Sequence, residues 1–413
     1  MHAELVMIGT ELLLGEIVDT NATKLAKMLR EIGLDLYYKT TVGDNLARIT
    51  AVLNLALDRS DIVITSGGLG PTVDDMTRQA VADATGRALV YSTDLEAQIA
   101  ERFRSFGREM KENNKRQAYI PEGALPLPNL AGTAPCFLSE DVAGRGFIIS
   151  LPGVPRELEY MMQNTVLPLL IERMGGAKVM AVRVLRTCAV GESNVDRLIG
   201  DLMITPNPTV GLAAHAGQTD VRITAKADTQ AEADALIAPV EAELRTRLGV
   251  AIYGVDQETV PEVMGRLLVE RGMKLGLVDT LTGGEIAADL TGAGFAERLA
   301  TNLHSLTVAE AVEQLGLPAD TSLDGATGKS LAASLAAAVA PPDGVGLALI
   351  GPLVGSEADN MTFIAVHGPE GLRLAEMARG YSGTTYVHRW LIIQSLDRVR
   401  RVVLKQLESA ADW

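Results

Sequence analysis

Cysteine and aromatic residues are scarce in this chain, and their scarcity excludes two classes of protein. The 413 residues include two cysteines, Cys136 and Cys188, which lie far apart and form no Cys-x-x-Cys spacing. A disulfide framework is therefore excluded, and nothing indicates a structural zinc site. Aromatic residues make up 4% of the chain, too few to predict the stacking platforms of proteins that bind single-stranded nucleic acid.

Basic residues and long apolar runs are also lacking. The chain has 37 lysines and arginines against 52 aspartates and glutamates, a formal net charge of −15 at pH 7. We expect no direct nucleic-acid partner, because affinity for phosphate backbones comes mainly from basic side chains. No basic residues precede the first apolar segment, unlike a signal peptide, and no apolar run reaches the roughly 18 residues of a membrane span. These features predict a cytoplasmic protein without a membrane partner.

The chain is rich in alternating strand-like and helix-like segments, and its length predicts two to four domains. Residues 1–168 alternate in the order βαβαβ, which predicts a three-layer α/β domain with helices on both faces of a parallel sheet. Residues 169–254 have the pattern of a small α+β module, and residues 255–413 alternate again as an α/β/α domain. The predicted fold class is therefore α/β, with a smaller α+β module in the middle.

The clearest candidate site is the glycine-rich segment SGGLGPTVDD, which follows a strand-like run. Gly67, Gly68 and Gly70 would let the backbone turn sharply and approach an anion closely. Asp74 and Asp75 would repel that anion unless a divalent cation bridges them, which is the usual arrangement for Mg²⁺ on phosphates. The plainer alternative is a glycine turn whose two aspartates only favour the start of a helix.

Three further strand–helix corners carry polar groups, in the segments GTELLLGEIVDTN, TVGDN and LPGVP. In a parallel sheet these corners gather at the carboxyl edge of the strands, where ligands bind. Lys115, in the segment NNKRQAYIP, could neutralise phosphate. Taken singly, each polar residue is better explained as a solvated surface group. The corners contribute the candidates Gly9, Thr10, Glu11, Asn21, Asp44 and Gly153.

Six segments resemble the competence/damage-inducible CinA family, in the same order and over about residues 3–160. They are GTELLLGEIVDTNA, GDN, SGGLGPTVDDMTRQAVA, NKRQAYIPEGA, NLAGTAPCF and LPGVPREL. The module is also similar to molybdopterin-binding domains, whose paired acidic positions fall on Asp44 and Asp75. The resemblance implies an ADP-ribose pyrophosphatase that needs a divalent metal (Mg²⁺, Mn²⁺ or Co²⁺), is aided by K⁺, and releases AMP and ribose 5-phosphate.

This resemblance assigns expected roles to the candidate residues. Asp44 and Asp75 are expected to be catalytic, and the expected metal ligands are Glu11, Asp74 and Asp75. The expected contacts with the substrate are Gly9, Thr10, Asn21, Gly67, Gly68, Gly70, Lys115 and Gly153.

The middle module, with VGESNVDRLIGDL and NPTV, resembles the KH-like domain of the same family. KH domains elsewhere clamp nucleic acid through a Gly-x-x-Gly loop, and we find none here with basic neighbours. We therefore expect a spacer or dimerisation element, and a homodimer.

The C-terminal segment LVDTLTGGEIAADL resembles the corner where the family's nicotinamide mononucleotide deamidase carries Ala-Glu-Ser-Cys-Thr-Gly-Gly. Thr280 replaces the nucleophilic serine, Leu306 stands at the tyrosine position and Ala311 at that of the lysine base. The later family motifs are reduced to LALIGPLVG and SGTTYVH. A hydroxyl without a base is a poor nucleophile, so we expect no deamidation. Thr282 and Glu285 have capping-box spacing, which predicts that the corner still starts a helix.

Three functions remain open from sequence. The first is metal-dependent hydrolysis of ADP-ribose by residues 1–168. The second is a nucleotide- or pterin-binding scaffold without turnover, and the third is an interaction partner for DNA-uptake or recombination proteins. A carboxylate cluster beside phosphate distinguishes the first from the second, because binding alone does not require one.

Overall fold

The chain folds into two units. A computed structural model describes residues 1–318, 323, 325–351, 362–377 and 384–406. One unit comprises Met1–Met180 with Lys226–Ala233, and the other comprises Ala181–Ala225 with Asp234–Trp413. Within the described ranges, no helix has both the length and the apolar character needed to cross a membrane.

The first unit is built on a six-stranded sheet plus a two-stranded ribbon. Its strands are β1 (His2–Ile8), β2 (Asp35–Val42), β3 (Ile62–Ser66), β4 (Leu89–Tyr91), β5 (Tyr119–Pro121), β6 (Leu125–Leu127), β7 (Cys136–Glu140) and β8 (Phe147–Leu151). Its helices are α1 (Thr10–Leu13), α2 (Thr20–Glu31), α3 (Leu46–Arg59), α4 (Thr77–Ala84), α5 (Thr93–Ser105), α6 (Pro155–Met161) and α7 (Leu167–Arg173), with a 3₁₀ helix at Glu112–Ala118 and a π-helical turn at Met162–Val166.

The strand order of the large sheet is β2-β1-β3-β8-β7-β6. The first four strands run parallel, as the alternating pattern predicts, whereas β7 and β6 pair antiparallel at one edge. Along β1, Leu5 and Met7 face a core that includes residues of α2, α6 and α7. Val6 and Ile8 face a second core with residues of α3, α4 and α5. Burial on both faces explains the nearly continuous apolar run of this strand.

The second unit contains two sheets. The first comprises β9 (Val179–Cys188), β10 (Thr209–His215), β11 (Gln218–Ala227) and β12 (Ile252–Val255) in the order β10-β11-β9-β12, with α8 (Glu192–Ile199) and α9 (Gln230–Leu248). The Pro-containing segment ITPNPTVGLAAH is thus a strand in its second half, and β10 pairs antiparallel with β11.

The second sheet of this unit lies in the C-terminal α/β/α part. Its strands are β13 (Leu275–Asp279), β14 (Leu299–His304), β15 (Val345–Ile350), β16 (Thr362–Gly368) and β17 (Gly371–Met377), in the order β14-β13-β15-β16-β17. The helices are α10 (Val260–Glu270), α11 (Glu285–Gly292), α12 (Val308–Gln314), α13 (Gly325–Val339) and α14 (Thr384–Val403), with 3₁₀ turns at Gly249–Ala251 and Ala296–Arg298. One core includes residues of α10, α11 and α14, and the other includes residues of α12 and α13.

Candidate functional site

The loops after β1, β3 and β8 meet at the carboxyl edge of the parallel strands, and Gly67 lies between them. Its backbone has φ +109°, and a Cβ there would lie 2.1 Å from the Ile8 carbonyl oxygen. Its N–H donates to the Leu151 carbonyl at 3.1 Å. A Cβ on Gly153 would meet the Gly67 Cα at 3.5 Å. Only glycine fits at position 67, because the Ile8 carbonyl oxygen occupies the place of a Cβ. The predicted close approach to an anion stays a prediction.

Asn21, at the start of α2, connects two of these loops. Its Nδ2 donates to the Gly153 carbonyl at 2.7 Å and lies 3.4 Å from the Ser66 hydroxyl. The Ser66 hydroxyl donates in turn to the Pro152 carbonyl at 3.2 Å. The Asn21 Oδ1 is buried and has no hydrogen-bond partner among the described residues. Because an unsatisfied buried acceptor costs about 1–3 kcal/mol, this oxygen is suited to accept a hydrogen bond from a ligand.

Asp44 lies just after β2, and its side chain stabilises the turn that follows the neighbouring strand β1. Its Oδ2 accepts from the Thr10 backbone N–H and from the Thr10 hydroxyl, both at 2.8 Å. Its Oδ1 accepts no hydrogen bond within the described part of the chain. The Glu11 carboxylate lies close to Gly9, where a Cβ would be 2.5 Å from its Oε1. The structure therefore brings Thr10 and Asp44 together and leaves one oxygen of Asp44 without an internal partner.

Asp75 holds the glycine-rich turn in its conformation. Its Oδ1 accepts from the Gly70 N–H at 2.8 Å, and its Oδ2 accepts from the Thr72 N–H at 2.8 Å and the Thr72 hydroxyl at 2.5 Å. Gly68, at φ +66°, has no room for a Cβ because the Thr77 hydroxyl would be 2.2 Å away. Asp74 is exposed. Both oxygens of Asp75 are thus used within the turn itself.

The predicted metal ligands do not form a cluster. Among the residues that the structure describes, no three His, Cys, Asp or Glu side chains are grouped so that they could hold a metal ion. Glu11, Asp74 and Asp75 therefore do not make an all-protein site. Their oxygen donors do suit Mg²⁺ or Mn²⁺, and Mg²⁺ commonly binds through one or two carboxylates, with substrate phosphates and water completing its coordination. The residues fit a cation of that kind, bound together with a phosphorylated ligand.

Arg78 supports the glycine-rich turn and was not anticipated from the sequence. It is 4% exposed, and it donates to the Gly70 carbonyl at 3.1 Å and to the Leu69 carbonyl. Burial lowers its pKa to about 10, so it is still positively charged at neutral pH. Gln117 donates to the same Leu69 carbonyl at 3.3 Å. The sequence did contain one indication of this burial, because Arg78 precedes Val81 by three residues and so lies on the same, buried side of α4.

Lys115, expected to contact phosphate, is engaged with acids instead. Its Nζ lies 2.9 Å from Glu112 Oε2 and 3.9 Å from Glu96 Oε1. The hydrogen bond to Glu112 raises the pKa of Lys115. No hydrogen bond joins Lys115 to the glycine-rich turn in the described residues, so a phosphate there would have to compete with Glu112 for this ammonium group.

The predicted capping box at the C-terminal corner is wrong. The residue that caps α11 is Gly284, at φ 94°, without a side-chain cap. The Thr282 N–H donates to Asp279 Oδ1 at 2.8 Å, and its hydroxyl donates to Asp279 Oδ2. The Leu281 N–H donates to the same Oδ1 at 3.0 Å. The turn is therefore closed by the fully buried Asp279 at the end of β13. The Thr282 hydroxyl bonds to Asp279 and not to the first turn of the helix.

The three positions expected to have lost deamidase chemistry can be located. The Thr280 hydroxyl lies 3.5 Å from the Leu349 carbonyl oxygen, a weak contact. Ala311 is fully buried in an apolar cluster that includes Val278 and Val312, and Leu306 is half-buried. Residues 352–355 of LALIGPLVG and 382–383 of SGTTYVH lie outside the described residues.

Comparisons with known proteins agree with this architecture. The family model described as "Probable molybdopterin binding domain" matches residues 4–172, and that described as "Damage-inducible protein CinA KH domain" matches residues 182–254. A CinA-like protein of Gloeobacter violaceus is 39% identical over 415 residues, covering 97% of this chain and 96% of the relative. The chain belongs to the CinA family.

One further relative covers nearly all of this CinA-family chain, and one solved structure covers less than half of it. A CinA-like protein of Frankia casuarinae is 38% identical over 424 residues, which cover 98% of this chain and 96% of the relative. The crystal structure of a CinA protein of unknown function from Thermoplasma acidophilum is 33% identical, with a TM-score of 0.38, and covers 41% of this chain and 97% of its own. The two family models and the two CinA-like relatives confirm the family resemblance, and the sheets of the structure confirm the α/β fold class expected from the sequence.

Proposed function

We propose that the N-terminal unit of this CinA-family protein hydrolyses the diphosphate bond of ADP-ribose. Water attacks one phosphorus, the bond from that phosphorus to the bridging oxygen breaks, and AMP and ribose 5-phosphate leave. The observation that carries the proposal is the meeting of three glycine-containing loops around Gly67. Glycine-rich loops at the carboxyl edge of parallel strands are typical of sites that cradle phosphates.

The described side chains suggest a division of labour. The Oδ1 of Asp44 and the buried Oδ1 of Asn21 are two acceptors without a hydrogen bond among the described residues. We propose that Asp44 and Glu11 hold a divalent cation whose coordination substrate phosphates and water complete, with K⁺ as a further activator. The cation would neutralise phosphate charge and lower the pKa of the attacking water. Asp75 and Arg78 act as positioning residues, because their hydrogen bonds fix the glycine-rich turn.

The test is product analysis of purified protein incubated with ADP-ribose. We expect AMP and ribose 5-phosphate with added Mg²⁺, Mn²⁺ or Co²⁺, and none in EDTA. Asp44→Asn should lower turnover at least about tenfold, which corresponds to roughly 1.4 kcal/mol of barrier. Glu101→Gln, which changes a side chain that is 69% exposed, is the control and should be unaffected. Undiminished hydrolysis in EDTA, or by Asp44→Asn, would overturn this mechanism.

One observation favours a second function, namely nucleotide or pterin binding without turnover. The described residues contain no group of three metal-ligating side chains, and binding alone does not require one. Calorimetry with ADP-ribose distinguishes the two functions. Saturable binding without AMP release, under every metal tested, would favour the binding protein.

We further propose that the C-terminal domain does not deamidate nicotinamide mononucleotide. Ala311 supports this, because the position expected for the lysine base is packed in an apolar core without contact with solvent. Losing a positioned acid–base group typically forfeits about 10² to 10⁴ in rate. The test is ammonia release by the wild type and by Thr280→Ala. Turnover that disappears in Thr280→Ala would contradict the proposal and identify threonine as the nucleophile.

A further inference from the structure

A cavity lies in the second unit, between one face of α14 and the turns that follow β9 and β10. Its volume is about 370 Å³, within the roughly 300–1,000 Å³ range of small-molecule pockets. Its lining positions on α14 recur every three or four residues, so one face of the helix forms its longest wall. That wall consists of Tyr386, Trp390, Gln394, Asp397, Arg398 and Arg401.

The end of this wall nearest the helix C-terminus holds more arginine than acid. Asp397 is fully buried, and it accepts from Arg400 at 2.8 and 2.6 Å and from Arg401 at 2.7 Å. Arg398 adds a third guanidinium, which donates to the backbone and side-chain oxygens of Gln394 at 3.1 and 2.9 Å. No acidic residue in the described part of the chain forms a salt bridge with Arg398. Burial lowers the pKa of Arg398, and the negative charge of Asp397 offsets only part of this effect.

The other end of the wall is aromatic. Tyr386 is 58% exposed, and Trp390 is partly buried beside it on the same helix face. Trp390 and Arg398 are eight residues apart, which places them about 12 Å apart along the helix axis. A planar ring, a sugar and a phosphate in line can bridge that span. The cavity thus offers a stacking surface and a guanidinium at a spacing that suits a mononucleotide.

The remaining charged groups facing the cavity do not cancel this arrangement. Glu192 is exposed at the rim, where solvent and salt screen its charge. His215 lies 3.2 Å from Asp220, whose carboxylate also pairs with Arg186 at 2.6 Å. The carboxylate of Asp220 is therefore already matched by a cation, and Arg398 remains the guanidinium with capacity for an anion.

We propose that this cavity binds a nucleoside monophosphate, with the base against Trp390 and Tyr386 and the phosphate on Arg398. A planar guanidinium pairs with two phosphate oxygens at once, which favours phosphate over a single-point anion. The site is separate from the deamidase-like corner, because Thr280 does not line the cavity. It belongs to the second unit and does not depend on the proposed hydrolysis by the first.

Tryptophan fluorescence tests the proposal locally. The chain has two tryptophans, Trp390 and Trp413, so Trp413→Phe leaves Trp390 as the sole reporter. The full-length protein with this substitution is titrated with AMP, adenosine and inorganic phosphate, without divalent metal. We expect a saturable change with AMP, and binding of adenosine or phosphate at least about tenfold weaker, because each lacks one of the two recognised parts.

Two variants and a matched control define the outcome. Arg398→Gln and Tyr386→Ala should each weaken AMP binding, the first by at least about tenfold. Arg389→Gln should not, because this arginine of the same helix pairs with Asp289 and lies outside the cavity. Tyr386 is largely exposed, so its substitution keeps the test informative if Arg398→Gln fails to fold. The proposal is overturned if AMP gives no saturable change at millimolar concentration, if phosphate alone binds as tightly, or if folded Arg398→Gln binds equally well.

Discussion

Replacing Asp75 by asparagine is the sharpest test of how the glycine-rich turn is held. The carboxylate accepts two backbone N–H groups, those of Gly70 and Thr72, on different oxygens at 2.8 Å. An asparagine keeps one acceptor oxygen, so its amide nitrogen must face one of these donors. Hydrogen bonds to charged groups contribute about 1.5–3 kcal/mol each. Asp75 is partly exposed and water can replace part of this, so we expect Asp75→Asn to lower the free energy of unfolding by about 1–2 kcal/mol.

The same substitution should impair catalysis through the turn. We expect turnover of ADP-ribose to fall at least about tenfold and KM to rise, because the backbone N–H groups no longer converge. The control is Glu101→Gln, which removes a charge on a side chain that is 69% exposed and should leave the melting temperature unchanged. Denaturant titration and steady-state kinetics on both variants give the comparison. If Asp75→Asn melts like the wild type, the assignment of Asp75 as a positioning residue is refuted.

Two further substitutions test the packing around this turn and the sheet. Gly67→Ala should destabilise the protein by about 1–3 kcal/mol, because of strain at φ +109° and a clash with the Ile8 carbonyl oxygen. The control is Gly144→Ala, at φ +75° with nothing within 4 Å of the added carbon, which should destabilise the protein less in denaturant titration. Arg145→Ala should cost about 3–5 kcal/mol because it leaves the buried Asp141 unpaired, whereas Arg104→Ala on an exposed pair should cost less than about 1 kcal/mol. The hydrogen bond to Arg145 lowers the pKa of Asp141. The stabilisation from this pair should therefore be present above pH ~4 and be lost as the pH falls through the lowered pKa, and Arg145→Ala should lose less stability over that pH range. Equal acid sensitivity of the two proteins would contradict this.

The parallel strands were predictable because burial on both faces leaves a nearly uninterrupted apolar signature. AELVMIGT and DIVITSGG became β1 and β3 for this reason. The antiparallel β6 and β7 were not predicted, because a strand of three residues such as β6 carries too little pattern of its own. Its residues pair with partners nine to thirteen residues along the chain, and local periodicity does not report such pairing.

The site was partly predictable for related reasons. Gly67 and Gly68 follow a buried strand, and their positive φ angles are what glycine runs at such corners predict. Arg78 was missed because arginine is almost always exposed, and its burial is decided by the two carbonyls of the turn. The capping box at Thr282 failed because spacing alone does not reveal a competing acceptor, here Asp279.

Three aspartates in or beside the connections between strands and helices explain which carboxylate remains available for chemistry. Asp279 and Asp75 each use both oxygens to accept hydrogen bonds from the turn that they close. Asp44 holds the turn after β1 with Oδ2 alone. Each of these three carboxylates thus holds a turn, and a further role with substrate or cation requires an oxygen that the turn does not use. This is why we assign the chemical role to Asp44 and the positioning role to Asp75, although the family's acidic pair includes both.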